Sequence, residues 1–373
     1  MKVVIAPDSF KESMSAVEAA RAMEEGVRLV LPEAECVLVP MSDGGEGFAQ
    51  AVTSAWGAEW IEVDAVDALG RPLRAGFGMA GERAVVDIAS TAGLERIQPG
   101  ERDVANSSSA GLGILIRDAV GRGARRVVVG IGGSATNDAG AGMLVALGAR
   151  LLDRDGRECN GTLATLSRVA TVELSQLCVP VGVVEFLVAS DVDNPLTGSR
   201  GATAVFGPQK GVLPQQVPEF DAVLGNFAAV AGKHDVAKRA GAGAAGGVGF
   251  ALMAFLDASL RPGVEVLGEI VDLAEKIEGA DLVLTGEGAV DPQTLHGKTP
   301  AGVARLAARA GVPTFLFAGQ VRAGAERMLE HGVTRIIRIG GDGAPLDQLL
   351  AHGYDNLRQA TARALEGYQP RQQ

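Results

Sequence analysis

The sequence predicts an α/β protein of two domains, one built around a parallel sheet by both ends of the chain and the other inserted between them. Three observations carry this. The chain has 373 residues, more than a single core usually supports. Both ends alternate short apolar runs, polar loops and helical segments, which is the pattern of a parallel sheet covered by helices. Glycine makes up 51 of the 373 residues, well above the usual ~7%. It clusters directly after the apolar runs, where α/β proteins carry their ligand loops.

Taken in order, Val3-Val4-Ile5 is a short apolar strand and Asp8 to Ser13 a loop. Ser15 and Glu18 form a capping box for a helix running to about Val30 and stopping before Pro32. Cys36 to Pro40 is a second strand, followed by the loop Ser42-Asp43-Gly44-Gly45-Glu46-Gly47 and another helix. From about Asp64 the pieces change, with shorter β segments near Arg74–Met79 and Ala84–Asp87 and a long helical stretch after Asn106. Strands over Arg125–Val129 and Leu187–Ala189 each open into a polar loop. Beyond Glu265 the alternation returns: a strand over Asp281–Leu284, a helix over about Pro300–Ala310, and strands over Val312–Ala318 and Val333–Ile339. The expected division is residues 1–70 with 270–373 in the first domain and 71–269 in the inserted one.

Composition narrows the partners. Lys and Arg total 34 against 45 Asp and Glu, a net charge of −11. An acidic surface repels nucleic acid and anionic membrane, so neither is expected. The three cysteines and four histidines are scattered, with neither a disulfide framework nor zinc-ligand spacing. The opening MKVVIAPDSF reads as a buried strand, too short for a signal core. No stretch of eighteen apolar residues marks a membrane span, and a cytoplasmic location is expected.

Five loops at strand ends are candidates for chemistry. Asp8-Ser9-Phe10-Lys11 offers a cation for a phosphate or carboxylate, although a solvated turn has the same composition. In Ser42 to Gly47, two carboxylates lie among glycines that permit close backbone approach; they suit Mg²⁺, substrate hydroxyls or helix capping. Gly130-Ile131-Gly132-Gly133-Ser134-Ala135-Thr136-Asn137-Asp138-Ala139-Gly140 provides backbone N–H groups and polar side chains suited to a polyphosphate. Asp191-Val192-Asp193-Asn194-Pro195 suits Mg²⁺, a general base or an Asx-type turn. Thr285-Gly286-Glu287-Gly288 continues through Asp291 to Gly297-Lys298-Thr299. Its Gly-Lys-Thr tail is not a Walker A motif, because Pro292 stands where that motif needs glycine.

Together these loops supply an anion cradle, a cation, metal-binding carboxylates and a group to orient a nucleophile, the parts phosphoryl transfer requires. The alternative is an NAD-dependent dehydrogenase of a small hydroxy acid. It is supported by Gly130, Gly132 and Ala135 in a loose dinucleotide fingerprint, with Asp153 near the ribose-binding spacing. A second such pattern, Gly241-x-Gly243-x-x-Gly246, follows no strand and reads as a loop or close helix packing. A sugar-acid-binding protein without turnover is a third reading.

Several segments resemble the bacterial glycerate kinase family: Ala6-Pro7-Asp8-Ser9-Phe10-Lys11, Asp43-Gly44-Gly45-Glu46-Gly47, Leu69-Gly70-Arg71-Pro72, Gly132 to Asp138, Ser190 to Leu196, and Thr285 to Lys298. They span nearly the whole chain in the family's order. The resemblance implies ATP-dependent phosphorylation of D-glycerate, usually at the 2-hydroxyl to give 2-phosphoglycerate. It also implies two α/β domains, one of them flavodoxin-like, with Mg²⁺ and the site in an interdomain cleft. The family often has Gly at Glu12 and Ala139, Ala at Ser42, Thr at Phe48 and Glu at Ile114. Ala139 is expected to tighten its loop.

On that basis chemistry suggests roles. Gly132, Gly133, Ser134, Asn137 and Asp138 cradle the ATP phosphates. Asp191 or Asp193 holds Mg²⁺ or deprotonates the attacking hydroxyl. Lys11, Arg71 and Lys298 compete for the substrate carboxylate or the transferring phosphate. Asp8, Ser9, Asp43 and Glu287 bind substrate, with Asp43 and Glu287 also candidates for metal. An oligomer is compatible with the sequence.

Overall fold

The computed structural model describes residues 1–291, 294, 298–341 and 345–368. Fourteen strands run through these described residues. They are β1 (Lys2–Ile5), β2 (Glu35–Leu38), β3 (Glu59–Val66), β4 (Pro72–Ala80), β5 (Arg83–Asp87), β6 (Arg126–Gly130), β7 (Arg150–Leu152), β8 (Glu158–Cys159), β9 (Thr171–Glu173), β10 (Glu185–Ala189), β11 (Ser259–Arg261), β12 (Leu282–Val290), β13 (Thr314–Val321) and β14 (Arg335–Arg338). The chain divides into two compact units, Met1–Asp43 with Pro262–Gln373, and Gly44–Arg261.

The first unit holds a five-stranded sheet in the order β14-β13-β12-β1-β2. Every neighbouring pair in it is parallel. Counted along the chain within this unit the order is 2-1-3-4-5, the flavodoxin-like doubly wound arrangement. Val3, Val4 and Ile5 are fully buried because helices cover both faces. On one face, Val3, Ile5, Leu282, Leu284, Phe315 and Phe317 meet Met23 of the helix Ala16–Val30 and Leu357 of the helix Gly353–Leu365. On the other, Leu316 and Ala318 pack with Ala301 and Ala304 of the helix Thr299–Arg309. The capping box forms as its spacing predicts: Ser15 Oγ accepts from the Glu18 N–H, and Glu18 Oε2 accepts from the Ser15 N–H.

The second unit holds a six-stranded sheet, β11-β10-β6-β5-β4-β3. Its β11, β10, β6 and β5 run parallel, whereas β4 and β3 are antiparallel additions at the edge. A small antiparallel sheet, β8-β7-β9, stands apart from it. The core includes an aromatic cluster in which Phe250 meets Phe227 and Phe255 edge-to-face at centroid distances of 6.3 and 6.0 Å. Residues 44–70, expected with the first domain, lie instead in the second unit. Their pairing explains this: β3 is zipped antiparallel to β4 from Glu59↔Met79 to Val66↔Pro72.

Register puts the candidate loops of this unit side by side. Asp87 and Ala189, the last residues of β5 and β10, both pair with Gly130 at the end of β6. The Gly/Ala run after Ala240 proves to be a brace for the loop that follows β6. Gly246 accepts the Ala139 N–H at its carbonyl. A Cβ on Gly246 would stand 2.0 Å from the Thr136 carbonyl oxygen, and its φ is +66°. The close-packing reading of Gly241-x-Gly243-x-x-Gly246 therefore holds. Gly246→Ala is expected to destabilise the protein by more than ~2 kcal/mol, combining backbone strain with a contact that must open. Gly47→Ala, where φ is +76° but nothing lies within 4 Å, is expected to cost only the ~1–2 kcal/mol of left-handed strain. Thermal melts of the two variants check the ranking.

Candidate functional site

In the second unit, β6 ends at Gly130 and the chain turns through residues 131–140. The turn runs tightly beside the Gly44-Gly45 loop. Gly132 donates its N–H to the Gly44 carbonyl at 2.9 Å, and a Cβ on Gly132 would come within 2.8 Å of Gly45 backbone atoms. Glycine is required there for that approach rather than for φ. Ser134, Thr136, Asn137 and Asp138 are all buried.

Each of these side chains has a distinct part. The Asp138 carboxylate accepts from Ser109 N and Oγ at 2.7 and 2.8 Å, and from the N–H groups of Gly140 and Gly142 at 3.0 and 3.2 Å. Burial pushes its pKa up, opposed by those hydrogen bonds. Asp138 thus shapes the turn; its oxygens, already saturated with donors, are not groups to offer a phosphate. The Asn137 amide nitrogen donates to Thr203 Oγ1 at 3.0 Å, while its Oδ1 is buried without a hydrogen-bond partner among the described residues. The O and N ends of an amide are assigned by such partners. Either way round, one buried polar end of Asn137 is left for a ligand.

Lys210 was not singled out from the sequence. It lies in the turn Pro208–Lys210, is 3% exposed, and donates from Nζ to Ser134 Oγ at 3.0 Å and to the Thr136 carbonyl at 2.6 Å. Its only sequence signal is a lysine held in the tight Gly207-Pro208-Gln209-Lys210-Gly211 turn.

The loop after β10 begins with half-buried Asp191. Asp193 is exposed, with both carboxylate oxygens at 3.1 and 3.2 Å from Arg200 Nη2. Asp193 therefore stabilises its own turn; of the two alternatives for the ion, Asp191 or Asp193, it is the one ion-paired to Arg200. Arg71 is committed to Asp67 at 2.5 Å and Glu101 at 3.2 Å. That ion-paired corner gives Arg71 a structural role in place of the expected substrate contact. Asp153 is half-buried in the β7–β8 turn, where it accepts from the N–H groups of Asp155 and Arg157. It does not stand at the end of a parallel strand, so the dinucleotide fingerprint lacks its ribose-binding acid.

In the first unit, carboxylates gather at the ends of β1 and β12. Asp8 Oδ2 accepts from Thr299 Oγ1 at 2.6 Å and Oδ1 from the Ser9 N–H at 2.7 Å. Burial, with Asp43 and Glu287 adding repulsion, pushes the Asp8 pKa up to about 7. Glu287 is also raised by burial, against the pull of Lys298, whose Nζ lies 3.6 Å from Oε2. Thr294 Oγ1 donates to Glu287 Oε1 at 2.7 Å. Lys11 is exposed, and its backbone runs along Gly288. Thus Asp8, Asp43, Glu287 and Lys298 share one electrostatic neighbourhood. Thr299 and Thr294 join them, although the sequence reading gave them no role. Pro292, Gln293, Leu295, His296 and Gly297 of this loop lie outside the described residues.

The Asp8 environment has a measurable consequence. A carboxyl whose folded pKa exceeds its unfolded value adds stability below the unfolded pKa and loses it as pH rises through the folded one. For Asp8 that window runs from the ordinary value of 3.8 to about 7. Relative to the native protein, Asp8→Asn is expected to be less stable near pH 5 and to recover on the order of 2 kcal/mol by about pH 8. Melting temperatures across pH test this, and a difference that does not vary with pH would refute it.

Comparison with known proteins follows the same outline. Residues 3–369 match the Glycerate kinase family. The chain is 43% identical over 368 residues to a glycerate kinase of Bacillus subtilis strain 168, covering 97% of this chain and 96% of that one. It is 41% identical over 370 residues to the glycerate 2-kinase of Escherichia coli K12, with 97% and 96% covered. A crystal structure assigned to a glycerate kinase 2 of Salmonella typhimurium LT2 superposes with a TM-score of 0.82 at 40% identity, covering 98% of both chains. With likeness of this extent in sequence and fold, the chain belongs to the glycerate kinase family.

Proposed function

We propose that this protein transfers the γ-phosphoryl group of ATP to D-glycerate, at the 2-hydroxyl, with Mg²⁺. The observation that carries the reading is the loop after β6, in which glycine backbone, Ser134, an Asn137 end without a partner and a buried lysine converge. Phosphoryl transfer depends mainly on positioning and on charge stabilisation, and such a loop supplies both for a polyphosphate. The family relationship supports the acceptor: the relatives compared are named for glycerate, and one for its 2-kinase.

The residues fit a magnesium ion of the usual kinase kind. Mg²⁺ typically takes one or two carboxylates and completes its shell with water and phosphate oxygens. Among the described residues no group of three or more His, Cys, Asp or Glu is arranged around one point. Asp191, at the end of β10 in the unit that carries the loop, is the carboxylate we assign to the ion. When bound, the metal would neutralise charge on the phosphates.

Within the first unit, Asp8 is the group suited to receive the hydroxyl proton. Its pKa near 7 makes it ionised, yet basic, in the neutral range. Ser9, Asp43 and Glu287 are assigned to the acceptor's hydroxyls, and Lys298 or Lys11 to its carboxylate. Activity is then expected to rise with pH through about 7 as Asp8 loses its proton, and this limb is expected to vanish in Asp8→Asn.

Phosphorus NMR of the protein with Mg-ATP and D-glycerate tests the reaction. A 2-phosphoglycerate signal is expected. A 3-phosphoglycerate signal would keep the kinase and overturn the position, and no phosphoglycerate from folded protein would overturn the substrate. Asp191→Ala is expected to lower turnover by at least ~100-fold, the loss of a metal-positioning charge. Full turnover in that variant would remove Asp191 from the mechanism.

A further inference from the structure

Lys210 is buried against the loop that follows β6. An ammonium taken out of water costs several kcal/mol, and chains keep one where it is paired or used. No carboxylate within ion-pair distance of Lys210 is recorded among the described residues; its two hydrogen-bond partners are the Ser134 hydroxyl and the Thr136 carbonyl.

Two consequences follow from the direction of those bonds. Ser134 Oγ accepts from the lysine, so its own hydroxyl hydrogen is turned toward a different acceptor. The Thr136 carbonyl is drawn toward the ammonium, and no peptide bond among the described residues is cis. In a trans peptide the C=O and the following N–H point in opposite directions, so the Asn137 N–H faces away from Lys210. One amine therefore takes up two acceptors of the loop and leaves two donors, the Ser134 hydroxyl and the Asn137 N–H, for other partners. It also leaves a positive charge behind them, in surroundings where charge is weakly screened.

We propose that Lys210 is the positioning residue of the phosphate loop, orienting the Ser134 hydroxyl and the Asn137 N–H toward a polyphosphate and backing them with its charge. The inference rests on the reading that this loop binds ATP. The groups that face the ammonium set how firmly it holds its proton. Burial lowers its pKa to about 7, and the Asp138 carboxylate acts in the opposite direction. Ser134 and Thr136 face it as neutral acceptors, and Arg102, bonded through Nη1 to the Gln209 carbonyl, is the cation on the neighbouring segment. A polyphosphate arriving on the loop would favour the protonated lysine, so ATP binding near neutral pH is coupled to proton uptake.

The test compares Lys210→Met and Lys210→Gln with the unaltered protein, measuring ATP and adenosine affinity separately. ATP affinity is expected to fall about 10–100-fold, the worth of charge-assisted hydrogen bonds, with adenosine affinity nearly unchanged. The KM for ATP should rise by the same factor while kcat at saturating ATP changes far less. Equal weakening of ATP and adenosine, or unchanged ATP affinity, overturns the inference. If neither variant folds, lysine ε-carbon NMR of the unaltered protein decides. One resonance is expected to titrate near neutral pH, with a midpoint that moves up when ATP is added. A midpoint that ATP leaves in place overturns the assignment. Failure of the unaltered protein to bind ATP would remove the underlying reading and this inference together; ATP binding that ignores Lys210 removes the inference alone.

Discussion

The loop after β6 depends on one buried carboxylate. Asp138 is removed from water and accepts two bonds from Ser109 and two from the N–H groups that follow it in the turn. Those partners are backbone or near-backbone groups at the start of the helices Ala110–Gly121 and Ala141–Ala146, where N–H groups have no intrahelical acceptor. A single anion therefore satisfies donors from two helix starts at once. Removing it would leave buried N–H groups unmet, each at about 1–3 kcal/mol. The rest of the loop is strung across this knot: Asn137 reaches Thr203, Thr136 and Ala139 rest on the Gly/Ala run, and Ser134 rests on Lys210.

Much of the fold was legible because it rests on local rules. Ser15 and Glu18 cap their helix by spacing alone, and Val3-Val4-Ile5 reads as a strand buried on both faces. That the sheet of the first unit is parallel follows from the alternation of strands and helices at the two ends, whereas its order 2-1-3-4-5 is set by which strands meet in the fold. What escaped was non-local. The pairing of β3 with β4 shifted residues 44–70 into the second unit, and no local pattern states which sheet an edge strand will join.

The candidate residues divide along the same line. Those defined by a loop's own backbone, such as Gly132, Asp8 and Glu287, were visible as glycine and carboxylate clusters after strands. Arg71 and Asp193 looked equally available, yet each is held by a partner, Glu101 or Arg200, that stands several residues away or farther in sequence. Lys210 shows the converse. It is separated from Ser134 by 76 positions, and only folding makes it part of the loop. Sequence spacing reports what a segment offers; burial and partners decide whether the offer is already taken.

The two charge-bearing neighbourhoods are tuned in opposite senses by the same cause. Desolvation opposes whichever form is charged, so it raises the pKa of a buried acid and lowers that of a buried amine. Asp8 and Lys210 start far apart, at ordinary values of 3.8 and 10.5, and both arrive at about 7. Near neutral pH each can exchange its proton at little free-energy cost, which an exposed Asp or Lys cannot do. Two non-glycine residues also carry local backbone strain. Glu12 and Ala139 both hold φ in the left-handed region, at 61° and 52°, where a side chain costs about 1–2 kcal/mol relative to the right-handed conformation. Such strain persists only where surrounding bonds over-determine the backbone. At Ala139 that constraint is visible: its N–H is fixed to the Gly246 carbonyl, one residue from the Asp138 knot. The turn thus keeps its shape without glycine because its hydrogen bonds, not its residue type, set the conformation.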